Sequence, residues 1–235
     1  AGARIAGLSE SQAMDISYVR KQKSKEEIEL EALALAQDKQ KKIESARYYF
    51  RTSKRIDNTL AERYLRETRK IEGDLTGFRF HPNVKDPETS LYYPAALIAA
   101  RNEKGEITAT QTILIDPTTL KKANVEVPKR TRGVVSGSVA QIHQGSSNKV
   151  LLAEGPETAA SLIKAMPETN IYVTIGNIRN SEHLAWLAKK HSTNTLYFAA
   201  DNDGANQKPT ESLQKAAEIL EAQGIKCYKA VPKLD

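Results

Sequence analysis

The last third of the chain constrains the fold most, because apolar strand-like runs alternate there with segments of helical periodicity. The first run, Val150–Ala153, directly follows Asn148-Lys149 and precedes a helical pattern. Three further runs repeat this order, at 171–175, 196–200 and 225–231. Such alternation is typical of a parallel sheet with helices on both faces. We therefore predict an α/β domain over residues 149–235, built on a four-stranded parallel sheet flanked by helices.

Residues 25–148 have a different pattern, in which two helical segments precede several short strands. Helical periodicity runs from Lys25 to Thr52, and a second helix is predicted from Thr59 to Arg69 with Asp57 or Asn58 as its cap. Six apolar side chains of the first helix fall on one face, which we expect to cover the strands: Ile28, Ala32, Leu35, Ile43, Ala46 and Phe50.

Strand signals then follow, with a hairpin turn at Asn102–Gly105. The strands are predicted at 77–80, 95–100, 107–115 and within 133–143. Residues 25–148 are therefore predicted to form a helical and β-rich N-terminal subdomain, and residues 1–24 a linker or arm.

Composition excludes several classes of protein. The single cysteine, Cys227, excludes an internal disulfide and a cysteine-rich zinc site, and it suits the reducing cytoplasm of a bacterium. No apolar run is long enough to span a bilayer, so we expect no membrane partner. The net charge of +6 suggests a polyanionic partner, and the excess lies before residue 149. Because the chain begins without methionine, we expect it to be a piece of a longer protein whose other domains are partners.

Two acidic clusters follow the first and third strands of the predicted parallel sheet. Glu154-Gly155 comes directly after the first strand, and Asp201-Asn202-Asp203-Gly204 directly after the third. Ligands of open parallel sheets bind at the carboxyl ends of the strands, where these clusters converge if the two strands are neighbours. Carboxylates held close together repel one another, and a bound hard cation relieves that repulsion. We therefore predict a Mg²⁺ (or Mn²⁺) site formed by Glu154, Asp201 and Asp203.

Each cluster taken alone also has a purely structural interpretation. The segment 201–204 has the composition of a common turn, and Glu154 has the position of a helix-capping residue. The glycines at 155 and 204 would let a phosphate approach the backbone closely. The metal hypothesis rests on the two clusters occurring together at matching strand ends.

These motifs resemble the Toprim signature, which bacterial primases, type IA and type II topoisomerases and some nucleases share. The resemblance is carried by Val150–Gly155 and Phe198–Gly204. The chain is most similar to Toprim-containing primase-like proteins of phages, plasmids and conjugative relaxases. Upstream segments continue the likeness, at Tyr64–Ile71, Phe78–Pro82 and Pro94–Pro117.

The resemblance implies roles for individual residues. Glu154 would serve as metal ligand or general acid/base, Asp201 and Asp203 would bind Mg²⁺, and Glu157 would be a further metal ligand. The implied reaction is nucleotidyl transfer on a single-stranded DNA template from nucleoside triphosphates, within a primase or relaxase–primase protein of a mobile element. Two alternatives stay open at this stage: a Toprim nuclease, and a non-catalytic DNA-binding module.

Several basic side chains are predicted to contact nucleic acid or nucleotide through phosphate. They are Arg66, Arg69, Lys70, Arg79, Lys129, Arg130, Arg132 and Lys208. A solvated surface is the alternative for each. The glycine- and serine-rich segment 133–138 offers backbone donors to phosphate as well. Structural or surface roles are expected for the histidines, and a core position for Trp186; the histidines are His81, His143, His183 and His191.

Overall fold

The computed structural model describes residues 24–175, 183–199 and 208–230, without the side chains of 208–212. Ala1–Asp38 and Lys39–Asp235 are separate compact units. Nearly all of the predicted arm at 1–24 lies outside the described residues.

Helix α1 runs from Lys25 to Thr52. A capping box begins it, because the Ser24 hydroxyl accepts from the Glu27 N–H at 3.1 Å and the Glu27 carboxylate accepts from the Ser24 N–H at 2.8 Å. The predicted buried face is wrong for the first half of the helix, where Ile28 and Leu35 are 54% and 70% exposed. Ala46, in the second half, is fully buried. The periodicity predicts which side chains share a face of the helix, but it does not predict whether another element packs against that face.

The first sheet is antiparallel throughout and follows chain order. A short helix α2, Leu60–Arg63, is capped by Thr59, whose hydroxyl accepts from the Glu62 N–H at 3.3 Å, and not by the predicted Asp57 or Asn58. A π-helical turn, Tyr64–Thr68, continues it. The strands of this sheet are β1 (Lys54–Arg55), β2 (Arg79–Lys85), β3 (Tyr92–Arg101), β4 (Ile107–Leu114) and β5 (Lys129–Gly133).

The second sheet has four parallel strands and one antiparallel edge strand. Its strands are β6 (Ala140–His143), β7 (Val150–Ala153), β8 (Asn170–Val173), β9 (Thr195–Ala199) and β10 (Lys226–Ala230). They lie in the order β10-β9-β7-β8-β6, and β6 pairs antiparallel with β8. The described helices of this part are α3 (Pro156–Leu162), α4 (Ala185–Lys190) and α5 (Lys208–Glu221). The predicted strand signal before residue 143 therefore contributes β6 to this sheet, whereas the sequence had placed it in the N-terminal subdomain.

One apolar core joins the first sheet to one face of the second. Ile98 and Ile113 of the first sheet belong to the same buried cluster as Ile142 and Leu151 of the second. The opposite face of the second sheet packs on α4 and α5, through residues that include Leu152, Tyr172, Leu187, Leu213 and Leu220. Buried residues before and after position 148 therefore share one core cluster.

A glycine allows the close approach of backbones within this shared core. A Cβ at Gly77 would lie 2.4 Å from the carbonyl oxygen of Ile142, so only glycine fits there. In the part of the chain that the structure describes, no helix is both long enough and apolar enough to cross a membrane.

Candidate metal and nucleic-acid sites

Strand β7, which leads into Glu154, is the central strand of the second sheet. It pairs in parallel with β9 on one side and β8 on the other, and Ala153 is in register with Ala199. Glu154 follows Ala153 directly, and Asp201 comes two residues after Ala199. The two acidic segments therefore follow neighbouring parallel strands at the same edge of the sheet, although Asp201 and Asp203 themselves lie outside the described residues.

The exit of β7 is held in place by the next strand. The Thr174 N–H and hydroxyl both donate to the carbonyl oxygen of Ala153, at 2.9 and 3.3 Å. Glu154 is half-buried immediately after this point. Gly155 is then the N-cap of α3, with φ −109°, and Pro156 is the first helical residue.

Neither the backbone nor the packing requires glycine at position 155. Its φ is one that any residue adopts, and a Cβ there would meet only Thr158 Oγ1, at 3.7 Å, among the described atoms. The open space beside the backbone of Gly155 is compatible with the predicted close approach of a phosphate.

The chemistry of these side chains fits a hard divalent cation, since all three predicted ligands offer carboxylate oxygens. Within residues 24–175, 183–199 and 208–230, no three His, Cys, Asp or Glu side chains come together as a metal site. A site at this edge therefore requires Asp201 and Asp203 beside Glu154.

Glu157, the further predicted metal ligand, lies in a buried network of opposite charge. It is 8% exposed; Oε1 accepts from the Tyr64 hydroxyl at 2.5 Å and lies 3.0 Å from Arg69 Nε in an ion pair. Oε2 lies 3.2 Å from Lys122 Nζ. Burial, and then the hydrogen bond to Glu157, raises the pKa of Tyr64 well above its ordinary value. These contacts tie α3 to the π-helical turn and to the segment between β4 and β5, which is the behaviour of a structural ion pair.

Sequence reasoning missed Tyr64 and Lys122 as partners of Glu157. Tyr64 belongs to the upstream segment of the family resemblance, but nothing local in the sequence links it or Lys122 to an acid on α3.

Three of the arginines predicted to bind nucleic acid have partners within the protein. Arg66 donates to the carbonyl oxygens of Ile71 and Gly73, at 2.8 and 2.6 Å. Arg69 pairs with Glu157. Arg130 pairs with Asp86 at 3.1 Å and with Glu88 at 2.6 Å. Contact of these three with nucleic acid stays a prediction, and for Arg69 and Arg130 it would compete with an existing carboxylate.

Arg79 and Arg132 are held by neutral groups. Arg79 Nε donates to the Ser53 hydroxyl at 2.7 Å, and its guanidinium lies 4.7 Å from the centre of the Phe50 ring. Arg132 donates to the Thr112 hydroxyl at 3.1 Å and lies 4.2 Å from the Tyr49 ring centre. Burial lowers the pKa of Arg132.

Of the remaining predicted cations, two lie at the surface and one has a side chain outside the described residues. Lys70 and Lys129 are exposed, and the side chain of Lys208 lies outside the described residues.

Comparison with known proteins gives two family matches. Residues 149–235 match the family model described as a Toprim domain, and residues 40–142 match one described as a domain of unknown function, DUF7146. Among curated proteins no sequence matches. A crystal structure of a DNA primase domain from Pseudomonas aeruginosa is similar, with 12% identity and a TM-score of 0.40. The match covers 64% of this chain and 48% of that one, so this chain spans about half of that structure's length.

Proposed function

We propose that this chain carries out Mg²⁺-dependent nucleotidyl transfer on single-stranded DNA, as part of a primase or relaxase–primase protein of a mobile element. The observation that carries the proposal is the parallel pairing of β7 with β9, with Ala153 opposite Ala199. Because the two strands are parallel neighbours, we expect Glu154, which follows Ala153, to lie close to Asp201 and Asp203. The Toprim match over residues 149–235 supports the same assignment.

Glu154, Asp201 and Asp203 would hold the ion through their carboxylate oxygens. When bound, Mg²⁺ would neutralise triphosphate charge and steady the attacking 3′-hydroxyl. The protein's own contribution is positional. Thr174 fixes the end of β7, which sets the place of Glu154, and Gly155 leaves space beside the backbone for a phosphate.

Primer synthesis by the full chain tests the proposal. The assay combines single-stranded DNA, nucleoside triphosphates and Mg²⁺, and the proposal expects new strands from the wild type and none from Asp201→Ala. Asp57→Ala is the matched control, because Asp57 is an exposed acid beside Arg55. Both variants should bind single-stranded DNA like the wild type.

Two results would overturn nucleotidyl transfer. Metal-dependent nicking or degradation without synthesis would make the site that of a nuclease. Strand binding without any turnover, unchanged by Asp201→Ala, would make the chain a binding module.

A further inference from the structure

Two arginines converge on one aromatic ring without a carboxylate between them. The guanidinium groups of Arg79 and Arg101 lie 4.7 and 5.4 Å from the centre of the Phe50 ring. Arg79 is held by the Ser53 side chain and carbonyl, and Arg101 by the carbonyl oxygen of Gly105 at 2.8 Å. Among the described residues, neither has an acid within ion-pair distance.

Half of the other arginines in the described residues are arranged differently. Four of those eight pair with carboxylates at 2.6–3.1 Å: Arg55, Arg63, Arg69 and Arg130. Like charges held near one ring repel each other, and a bound anion relieves that repulsion. The pair on Phe50 is therefore poised for an anion from outside the protein.

Both arginines line a cavity of about 610 Å³ whose described lining is strongly basic. Lys104 and Lys190 add two further cations, and Glu103 is the one acidic side chain among the described residues that line it. The amine of Lys190 lies 5.6 Å from the Tyr172 ring centre and 5.9 Å from that of Trp186, and both rings also line the cavity. Cations and aromatic rings are thus interleaved along its wall.

The cavity runs along the outer edge of the second sheet and not at the end that carries Glu154. Its lining includes successive residues of β6, from Gln141 to His143, and β6 is separated from β7 by β8. A second recess of about 520 Å³ shares Glu103 and Trp186 with it and adds Lys189. Because the two recesses share these two lining residues, we name them together the basic groove, and all of its described lining belongs to the unit Lys39–Asp235.

Trp186 lies between the groove and the core of the second sheet. Its side chain is half-buried and packs against that core, close to the core position that the sequence predicted. The indole N–H is buried and has no acceptor among the described residues, a state that buried donors rarely keep.

From these observations we infer that the groove binds the phosphate backbone of single-stranded nucleic acid. The phosphates contact four cations, and Trp186 offers a face of its ring to a base; the cations are Arg79, Arg101, Lys104 and Lys190. A basic groove with interleaved aromatic rings suits single strands, because every base can stack while the cations follow the backbone. Two joined recesses favour a strand over a single nucleotide. The choice of single-stranded nucleic acid as the ligand rests on the proposed function, whereas the groove itself is inferred from the structure.

Trp186 is the only tryptophan of the chain, so its fluorescence reports on this groove without any substitution. The full chain is titrated with oligothymidylate in the presence of EDTA, and strand binding is followed in parallel by anisotropy of a labelled strand. We expect saturable quenching of Trp186 that follows the anisotropy and weakens as salt rises. Strand binding without a change in Trp186 emission, or no strand binding, would overturn the inference.

Parallel titrations distinguish a strand site from a nucleotide site. A nucleoside triphosphate and inorganic triphosphate are each added in place of the strand. We expect weaker quenching with either, and displacement by the strand. Tight nucleotide quenching that the strand fails to displace would assign the groove to nucleotides instead.

A double variant, Arg101→Gln with Lys104→Gln, tests the phosphate contacts. We expect strand affinity to fall about tenfold, and the salt dependence to lose a slope of about 0.7 for each contact removed. The matched control is Arg55→Gln with Arg63→Gln, which removes the same charge from exposed, carboxylate-paired sites and should change affinity less than twofold. Equal losses in both would mean attraction by overall charge, and would contradict a defined groove.

Two further variants separate folding and catalysis from groove binding. Arg101→Lys keeps the charge and should retain most of the affinity. Asp201→Asn should leave quenching intact, so failure of the catalytic proposal and failure of the groove give different results.

Discussion

The two sheets of this protein place their charged residues differently. In the first sheet, charged side chains lie within the strands, and one of them is compensated by carboxylates, since Arg130 of β5 pairs with Asp86 and Glu88. The inner strands β7, β8 and β9 of the second sheet contain no charged residue; Glu154 follows β7 directly, and Asp201 comes two residues after β9. We infer that the Arg130 pairs support the fold, and we propose that the acids after the strand ends serve a ligand. Each prediction below tests that division.

The largest effect is expected at the strand end, from Glu154→Gln. The substitution keeps the shape of the side chain and removes its negative charge, so nucleotidyl transfer should fall by about 10²–10³-fold. The free energy of unfolding should change by less than about 0.5 kcal/mol. Primer-synthesis rates and urea unfolding measure the two quantities, with Glu168→Gln, an exposed glutamate before β8, as control. A large loss of stability with little loss in the rate of primer synthesis would show that Glu154 has a structural role and not a catalytic one.

The second effect concerns the first sheet, where Arg130→Met should reduce the free energy of unfolding by about 2 kcal/mol. The substitution leaves Asp86, which is fully buried, without its cation. Urea unfolding measures the loss. Arg55→Met is the control, because the Arg55–Asp57 pair is exposed and should contribute less than about 0.5 kcal/mol. Equal losses in the two variants would remove the distinction between the buried and the exposed pair.

A smaller effect on the free energy of unfolding is expected from Tyr64→Phe. This variant tests whether Glu157 has a structural role, in contrast to the catalytic role proposed for Glu154. The variant removes one donor to a buried carboxylate that keeps Arg69 and Lys122, so we expect a loss of about 1 kcal/mol of unfolding free energy. Arg69→Gln should cost less, because Arg69 is 44% exposed and its charge is screened. A fall in activity without any change in stability would instead put Glu157 with the catalytic acids.

The smallest effect is a pH dependence that arises at Asp86. Hydrogen bonds from Thr89, and then the pairing with Arg130, lower the pKa of Asp86 in the folded protein. A group whose folded pKa lies below its unfolded pKa stabilises the protein above the unfolded value, about 3.9, and this stabilisation is lost as the pH falls further. The melting temperatures of wild type and Asp86→Asn should therefore converge as the pH is lowered from 7 towards about 3. A constant difference would show that Asp86 does not titrate in this way.

Local patterns predicted the strands better than they predicted their partners. The apolar runs indicated the parallel strands, most clearly β7 and β8, because strands buried on both faces need such runs. The signal of β6 is a short alternation of buried and half-buried residues, which suits an edge strand of either sheet, and only long-range pairing with β8 decides between them.

Glu154 and Glu157 show that local sequence also fails to predict the long-range contacts of single residues. The place of Glu154 follows from the strand that precedes it. Glu157 forms ion pairs with Arg69 and Lys122, which lie far from it in the sequence. No local sequence pattern predicts these ion pairs. The groove along β6 was missed for the same reason, since Arg101, Lys104 and Lys190 come together only through the pairing of the sheets.

Binding of Mn²⁺, followed by the broadening of amide signals in NMR spectra, tests the shared metal site most directly. If Glu154, Asp201 and Asp203 hold one ion, the amides at 154–155 and at 201–204 broaden over the same range of Mn²⁺ concentration, Mg²⁺ reverses both, and Asp201→Ala abolishes both. Broadening at 201–204 that leaves Glu154 and Gly155 unaffected, or no site-specific broadening, would contradict the shared ion.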